Sequence, residues 1–202
     1  THAFIVLFFP HLIAGPIVLY ENIAWQVRRR PRIPGYLAAS FKVGLLIFAI
    51  GLFKKVVVAD SLAPFANAVF AYAEQPDTVI NARDAWLGAT AYSLQLYFDF
   101  SGYSDMAIGL GRMFGFRLPI NFNSPYKAAN IIDFWRRWLI TLSSFFRNYV
   151  YIPLGGKRHG PWKQILFILI VFFLTGLWHG AAWAFIVWGV VHGALVVINH
   201  VW

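Results

Sequence analysis

The chain has no cysteine in its 202 residues. Disulfides, thiol nucleophiles and thiolate metal sites are thereby excluded, so any chemistry must come from histidine, carboxylates, hydroxyls or a bound group. Charge is scarce too: Asp, Glu, Lys and Arg make up 12% of the chain, where a soluble domain carries about a quarter. Acids are scarcer still, 8 against 17 Lys and Arg. From Gln164 to Trp202 there is no Lys, Arg, Asp or Glu at all. There is no internal repeat and no low-complexity tract. No pair of histidines has the close helical spacing with a carboxylate that a metal site needs, and no metal is predicted.

What is present is apolar. Hydrophobic residues make up 59% and aromatics 19% of the chain, with a mean hydropathy of +0.61. This predicts an all-α, polytopic integral membrane protein whose partner is the lipid bilayer. The net charge of +9 sits in clusters between apolar runs: Arg28-Arg29-Arg30-Pro31-Arg32, Lys54-Lys55, Arg136-Arg137, and Lys157-Arg158 with Lys163. Clusters beside spans mark the cytoplasmic side and anionic headgroups, which argues against nucleic acid as the reason for the high pI. Glu74 to Asp84 is polar and mildly acidic, as suits an outward-facing loop. The chain opens on Thr1-His2-Ala3 with neither a charged leader nor an initiating Met, and is expected to be a single membrane-embedded core, 1–202, cut at both ends from a longer protein.

Ala3 to Tyr20 is about one crossing long but interrupted by Pro10, His11, Gly15 and Pro16; broken helices at membrane depth survive only against protein or a water-filled cavity. Gly35 to Phe53 is a second run ending at Lys54-Lys55, and Val56 to Tyr72 a third; two short helices or one bent excursion both fit. Asp84 to Phe98 is a fourth, leading into a polar, Gly-rich passage from Asp99 to Gly115. Pro119 to Lys127 reads as a loop. Ile131 to Tyr151 is amphipathic and aromatic and predicts an interfacial or re-entrant helix pair, ended by Pro153-Leu154-Gly155-Gly156. The last run, Ile165 to Ile198, would be roughly 50 Å as one straight helix, against a hydrocarbon core of roughly 30 Å. It must break, and the natural place is Gly176 to Gly180.

His179 lies in that break. A titratable group at membrane depth is costly, and one that is kept there usually faces a cavity and does chemistry or moves protons. The alternative is a buried histidine that donates to a backbone carbonyl and packs. In the segment Tyr97 to Asp105, helical spacing puts Tyr97, Ser101 and Asp105 on one face and Asp99 with Tyr103 on a neighbouring one. The two carboxylates can orient a histidine, bind water, or pair with Arg112 and Arg117. Asp133 reaches Arg136 or Arg137 as ordinary helix support; Arg136, Arg137 and Arg147 can instead hold the phosphates of a coenzyme A-like donor. His11 reads as structural or cavity wall, His192 as lining the same passage or satisfying a backbone group, and His159 as solvated; His2 and His200 lie near the chain ends. The tryptophans and phenylalanines read mainly as lipid-facing or interfacial anchors.

The strings FPHLIAGP (Phe9 to Pro16), LYFDFSGYSDMAIGLG (Leu96 to Gly111), DFWRRW (Asp133 to Trp138), YIPLGG (Tyr151 to Gly156) and GLWHGA (Gly176 to Ala181) occur in this order. They resemble the membrane-bound O-acyltransferase family, most nearly its bacterial alginate-acetylating membrane subunits, over nearly the whole chain. The resemblance implies a multi-pass bacterial inner-membrane enzyme with broken and re-entrant helices around a tunnel. Such an enzyme passes an acetyl group from a cytoplasmic donor, acetyl coenzyme A or another acyl thioester, to hydroxyls of an extracytoplasmic polysaccharide. No tightly bound cofactor is implied, and periplasmic or membrane proteins of the acetylation machinery are implied as partners. The family's catalytic histidine corresponds to His179, as general base, with Trp178, Asp99, Ser101, Tyr103, Asp105, Trp138 and Leu139 as supporting or tunnel-lining positions.

Two positions depart from the family. Members commonly carry a second histidine after the tryptophan that ends DFWRRW, where this chain has Leu139, which can neither donate nor accept a proton; Asn148 likewise stands where an aspartate is common. Two alternatives follow: a catalytically impaired or scaffold homologue, favoured by Leu139, and a proton-coupled transporter, which predicts an internal symmetry the sequence does not show.

Overall fold

The computed structural model describes residues 7–11, 15–28 and 35–202, and among these it is all helix, turn and loop, with no strand. His2, most of the first basic cluster and much of the first apolar run lie outside the described residues. The helices are α1 (Tyr20–Arg28), α2 (Tyr36–Phe53), α3 (Asp60–Ala73), α4 (Ala82–Met113), α5 (Ile131–Arg137), α6 (Ile140–Phe146), α7 (Pro161–His179) and α8 (Trp183–Val201). The chain divides into two compact units, 1–120 and 121–202.

In the first unit α2 does not stop at Lys54-Lys55. A wider, π-helical stretch over Lys54–Ala59 joins it to α3, so Tyr36–Ala73 is one continuous 38-residue helix, apolar and long enough to cross a membrane. Neither two separate helices nor a returning excursion is formed. The fourth apolar run and the Gly-rich passage after Asp99 form one helix. α4 runs for 32 residues, opened by the Asn81 side chain accepting the Asp84 N–H at 2.9 Å. It is closed at Gly115 (φ 81°), with the Gly115 and Phe116 amides bonded back to Arg112 and Gly111. The glycines inside α4 serve contact: a Cβ on Gly102 would stand 2.7 Å from the Gly51 carbonyl oxygen, and one on Gly109 2.7 Å from that of Gly44. Where lipid already solvates apolar side chains, such backbone-to-backbone approach is what holds helices together. Beside this seam Phe8, Ile23, Ala24, Ile108, Phe116 and Leu118 form a small core. Gln26 bridges it, donating to the Arg117 carbonyl at 2.9 Å and accepting the Arg117 N–H at 2.8 Å.

In the second unit α5 and α6 are seven residues each, about 10 Å, too short to cross a bilayer. Asn130 caps α5 by accepting the Asp133 N–H at 2.8 Å. Between the two helices Leu139 adopts a left-handed backbone, φ 44° and ψ 55°, a conformation costing a non-glycine residue roughly 1–2 kcal/mol. Buried Asn121 holds this kink: its carbonyl accepts the Ile140 N–H at 2.9 Å, and its side-chain oxygen accepts the Thr141 N–H at 3.2 Å and hydroxyl at 2.9 Å. The final apolar run breaks as the sequence predicts, into α7 and α8, both long and apolar enough to cross a membrane. They pack antiparallel, Gly176 against Gly189 and Gln164 hydrogen-bonded to His200 at 2.9 Å. Gly180 makes the break at φ 159° and ψ 163°, a region essentially confined to glycine. A Cβ there would also meet the Phe185 ring at 2.8 Å.

Candidate active site

The helical stripe Gln164, Ile168, Val171, Phe172, Thr175 and His179 forms one wall of a cavity of about 690 Å³ within the second unit. Apart from the adjacent Val171 and Phe172 the spacing is three or four residues, so one face of α7 lines it end to end. The opposite walls are α5, α6 and the turn that follows, with Val196 and His200 from α8.

His179 closes one end of that stripe as the last residue of α7. Its ring lies edge-on to Trp188 (centroids 5.1 Å, 84°) and to Trp178 (5.2 Å, 76°), and roughly parallel to Phe185 (6.1 Å, 25°). The ring is exposed and is held by aromatic contact. An imidazole so placed presents ring nitrogens to an incoming hydroxyl, which is the geometric requirement for a general base.

Leu139 lines the same cavity and is 5% exposed, so a position that departs from the family is brought to the same space as His179. Three cations, Arg136, Arg147 and Lys157, also line it, and among the described residues no carboxylate does. This is an anion-attracting wall, and guanidinium forks suit phosphate oxygens. Lys157 was read from the sequence only as a topology marker; its place here depends on the fold of the turn over 152–160, which spacing does not disclose.

Other expected site residues go elsewhere. Arg137 is outside the cavity: its Nε donates to both Asp133 oxygens at 2.9 Å and its Nη1 reaches the Asn123 carbonyl. Trp138 is buried against Phe134 (5.6 Å, stacked) and Phe122 (5.1 Å, edge-on) and packs the unit. Trp178 flanks His179 but is 60% exposed and does not line the cavity. Asp99 and Asp105 pair with neither Arg112 nor Arg117. The glycine seam sets Lys54 and Lys55 against α4, so Lys54 meets Asp105 at 2.5 Å and Lys55 meets Asp99 and Asp60 at 2.6 Å. Ser101 is 2% exposed with its hydroxyl unpartnered, and Tyr103 is half-buried; both belong to the first unit. His192 is held between Trp135 (5.3 Å) and Trp188 (4.9 Å), while His159 lies exposed near Phe167.

The Arg137 hydrogen bonds hold the Asp133 carboxyl below the usual carboxylate range. A depressed carboxyl adds stability above its unfolded pKa and loses it as pH falls through the folded value. Arg137→Gln should therefore lower the melting temperature slightly at neutral pH and make no difference once the carboxyl is protonated in both proteins. A melting-temperature difference that is the same at pH 7 and pH 2 would remove the ion pair from the account.

Comparison with known proteins places this arrangement. Residues 5–202 match the model of MBOAT, the membrane-bound O-acyltransferase family. The chain is 50% identical over 200 residues to a peptidoglycan O-acetyltransferase of Helicobacter pylori, covering 98% of this chain and 37% of that protein. It is 49% identical over 195 residues to a probable alginate O-acetylase, AlgI, of Azotobacter vinelandii, covering 96% of this chain and 37% of the relative. It is 30% identical over 201 residues to a teichoic acid D-alanyltransferase of Bacillus subtilis, covering 96% and 49%. The chain thus spans well under two thirds of each of these relatives. With the match running from residue 5 to the last, across both helical units and through the His179 turn, the chain belongs to the membrane-bound O-acyltransferase family.

Proposed function

We propose that this chain carries the histidine-bearing core of a multi-pass bacterial inner-membrane enzyme. It moves an acetyl group from a cytoplasmic thioester, acetyl coenzyme A or another acyl thioester, to hydroxyls of an extracytoplasmic polysaccharide such as alginate. The observation that carries this reading is that His179 ends a cavity-lining stripe of α7 whose surrounding walls bear Arg136, Arg147 and Lys157 and, among the described residues, no acid. The cations suit the phosphates of a donor, and the stripe suits its arm. At the His179 end a neutral ring nitrogen takes the proton of the acceptor hydroxyl as its oxygen bonds to the acyl carbon. The carbon–sulfur bond then breaks, and the imidazolium returns the proton to the departing thiolate. Alginate is one of the acceptors named among the relatives, with peptidoglycan and teichoic acid the others. Partner proteins of the acetylation machinery belong to the same proposal.

The test is transfer of radiolabelled acetyl in membranes carrying the full-length protein, with His179 intact or replaced by alanine. Equal transfer by both proteins removes His179 from the mechanism.

A second reading, a scaffold or impaired homologue, rests on Leu139, an apolar residue in left-handed backbone on the cavity wall. Histidine is enriched in that backbone region relative to leucine, so Leu139→His fits the existing kink. If the chain is impaired, this substitution should raise transfer by about 10²-fold, the lower range for a positioned acid or base. No gain, with the parent protein active, removes the impairment reading.

A further inference from the structure

The working nitrogen of a histidine base is usually set by a hydrogen bond to the other ring nitrogen. Among the described residues no such bond orients the His179 ring, and three aromatic rings do so instead. Two of them, Trp178 and Phe185, are themselves 60% and 40% exposed. The third, Trp188, is half-buried and anchored in its turn. Its ring lies 4.9 Å from that of His192, four residues on along α8, and 5.7 Å and edge-on from that of Trp135 in α5. Trp135 also meets His192 and the Phe172 ring of α7, both at 5.3 Å. At these separations aromatic rings hold one another's orientation. Packing alone does not account for the cluster: the Trp135 indole nitrogen and His192 Nδ1 are buried without a hydrogen-bond partner, and each such atom costs folding energy that an apolar side chain of similar size would not.

We propose that Trp188 is the positioning residue of the acyl-transfer base: its ring fixes that of His179 edge-on at 5.1 Å and 84°, and Trp135 fixes Trp188. This rests on the reading of His179 as the base. Trp188 does not line the cavity, so it acts through His179, whereas Trp135 does line it, beside Arg136. The two indoles thus keep the base in register with a wall that carries one of the cations. The need for such a brace is local. His179 is the last residue of α7 and is followed by Gly180, so without Trp188 the imidazole is free to turn about its side-chain bonds. Proton abstraction requires a ring nitrogen within about 2.6–3.2 Å of the acceptor oxygen, and a misplacement of about 1 Å costs about 10²-fold in rate.

The test is a double-mutant cycle in membranes carrying the full-length protein at matched levels: the parent, Trp188→Leu, His179→Ala and the two together. Trp188→Leu is expected to lower kcat by about 10²-fold with donor KM nearly unchanged. It should cost nothing further once residue 179 is alanine, because effects that pass through one group do not add. A tryptophan that only packs the helices would lower transfer by the same factor in both backgrounds. That result, or a Trp188→Leu protein as active as the parent, overturns the proposal. Trp188→Phe keeps a ring at the position and should recover most of the lost kcat. Trp135→Leu should lower kcat in the parent and not further in Trp188→Leu, and an additional fall there overturns the part given to Trp135. Should Trp188→Leu not be recovered in membranes, Trp188→Met fills the space without a ring and completes the same cycle. Equal transfer by His179→Ala and the parent is a separate failure: it removes the base, and the positioning of it falls with the base.

Discussion

His179→Ala is expected to lower acetyl transfer by about 10²–10⁴-fold, the range for removing a positioned general base, or about 3–5 kcal/mol of transition-state stabilisation. The loss should fall on kcat, with KM for the donor nearly unchanged: the cations that would bind its phosphates are Arg136, Arg147 and Lys157, on the other walls of the cavity. The fold should survive, because the ring makes aromatic contacts at a helix end and is itself exposed. Steady-state kinetics on membranes with matched protein levels separates this outcome from unfolding, which would lower protein level and transfer together. A rise in donor KM with kcat intact would recast His179 as a binding residue.

Gly189→Val should be the most damaging substitution to the architecture. A Cβ at Gly189 would stand 2.5 Å from the Phe172 carbonyl oxygen and 3.2 Å from Gly176 Cα, both backbone atoms that cannot rotate away. Overpacking costs up to about 3 kcal/mol in ordinary cores, and an interface between membrane helices has little hydrophobic driving force to offset it. Separation of α7 from α8 at this level would displace Phe172 and Thr175 from the cavity wall and carry His179 with them. Gly193→Ala is the matched control, because its nearest neighbours at 3.0 and 3.3 Å are the side chains of Phe172 and Leu169. In detergent the valine variant should melt well below the parent and show no transfer, while the control stays near parental on both counts. Equal melting of the valine variant and the parent would mean that the α7–α8 approach is looser than these contacts require.

The break at Gly176 to Gly180 is readable because the run is too long for one crossing and that stretch, near its middle, carries glycines on either side of Leu177-Trp178-His179. The apolar character and the helix pair of Ile131–Tyr151 were readable for similar local reasons. What escaped depended on partners distant in sequence. Helical spacing is legible in Tyr97 to Asp105, but why Gly102 and Gly109 are glycines appears only once Gly51 and Gly44 lie against them. Asp99 and Asp105 have arginines near in sequence, yet their partners, Lys54 and Lys55, come from a different helix. Lys54-Lys55 looked like a helix terminus because nothing local announces acids waiting on the next helix. Asn121 carried no signal of its own; its role appears only once Leu139 is seen to turn left-handed. Of the three arginines offered as able to hold a donor, Arg136 and Arg147 line the cavity, whereas Arg137 is taken up by nearby Asp133, the helix partner that spacing also offers.

The widened turn over Lys54–Ala59 also bears on how the sequence can vary in length. Such a turn accommodates one residue more than regular helix, leaving the faces above and below it aligned. Here the aligned faces are Gly51, seated on Gly102, and Val69, whose side chain touches Gly88. A homologue one residue shorter within this stretch would form uninterrupted α-helix with both seats kept. The same deletion a turn earlier or later would swing one seat away from α4 by about 100°.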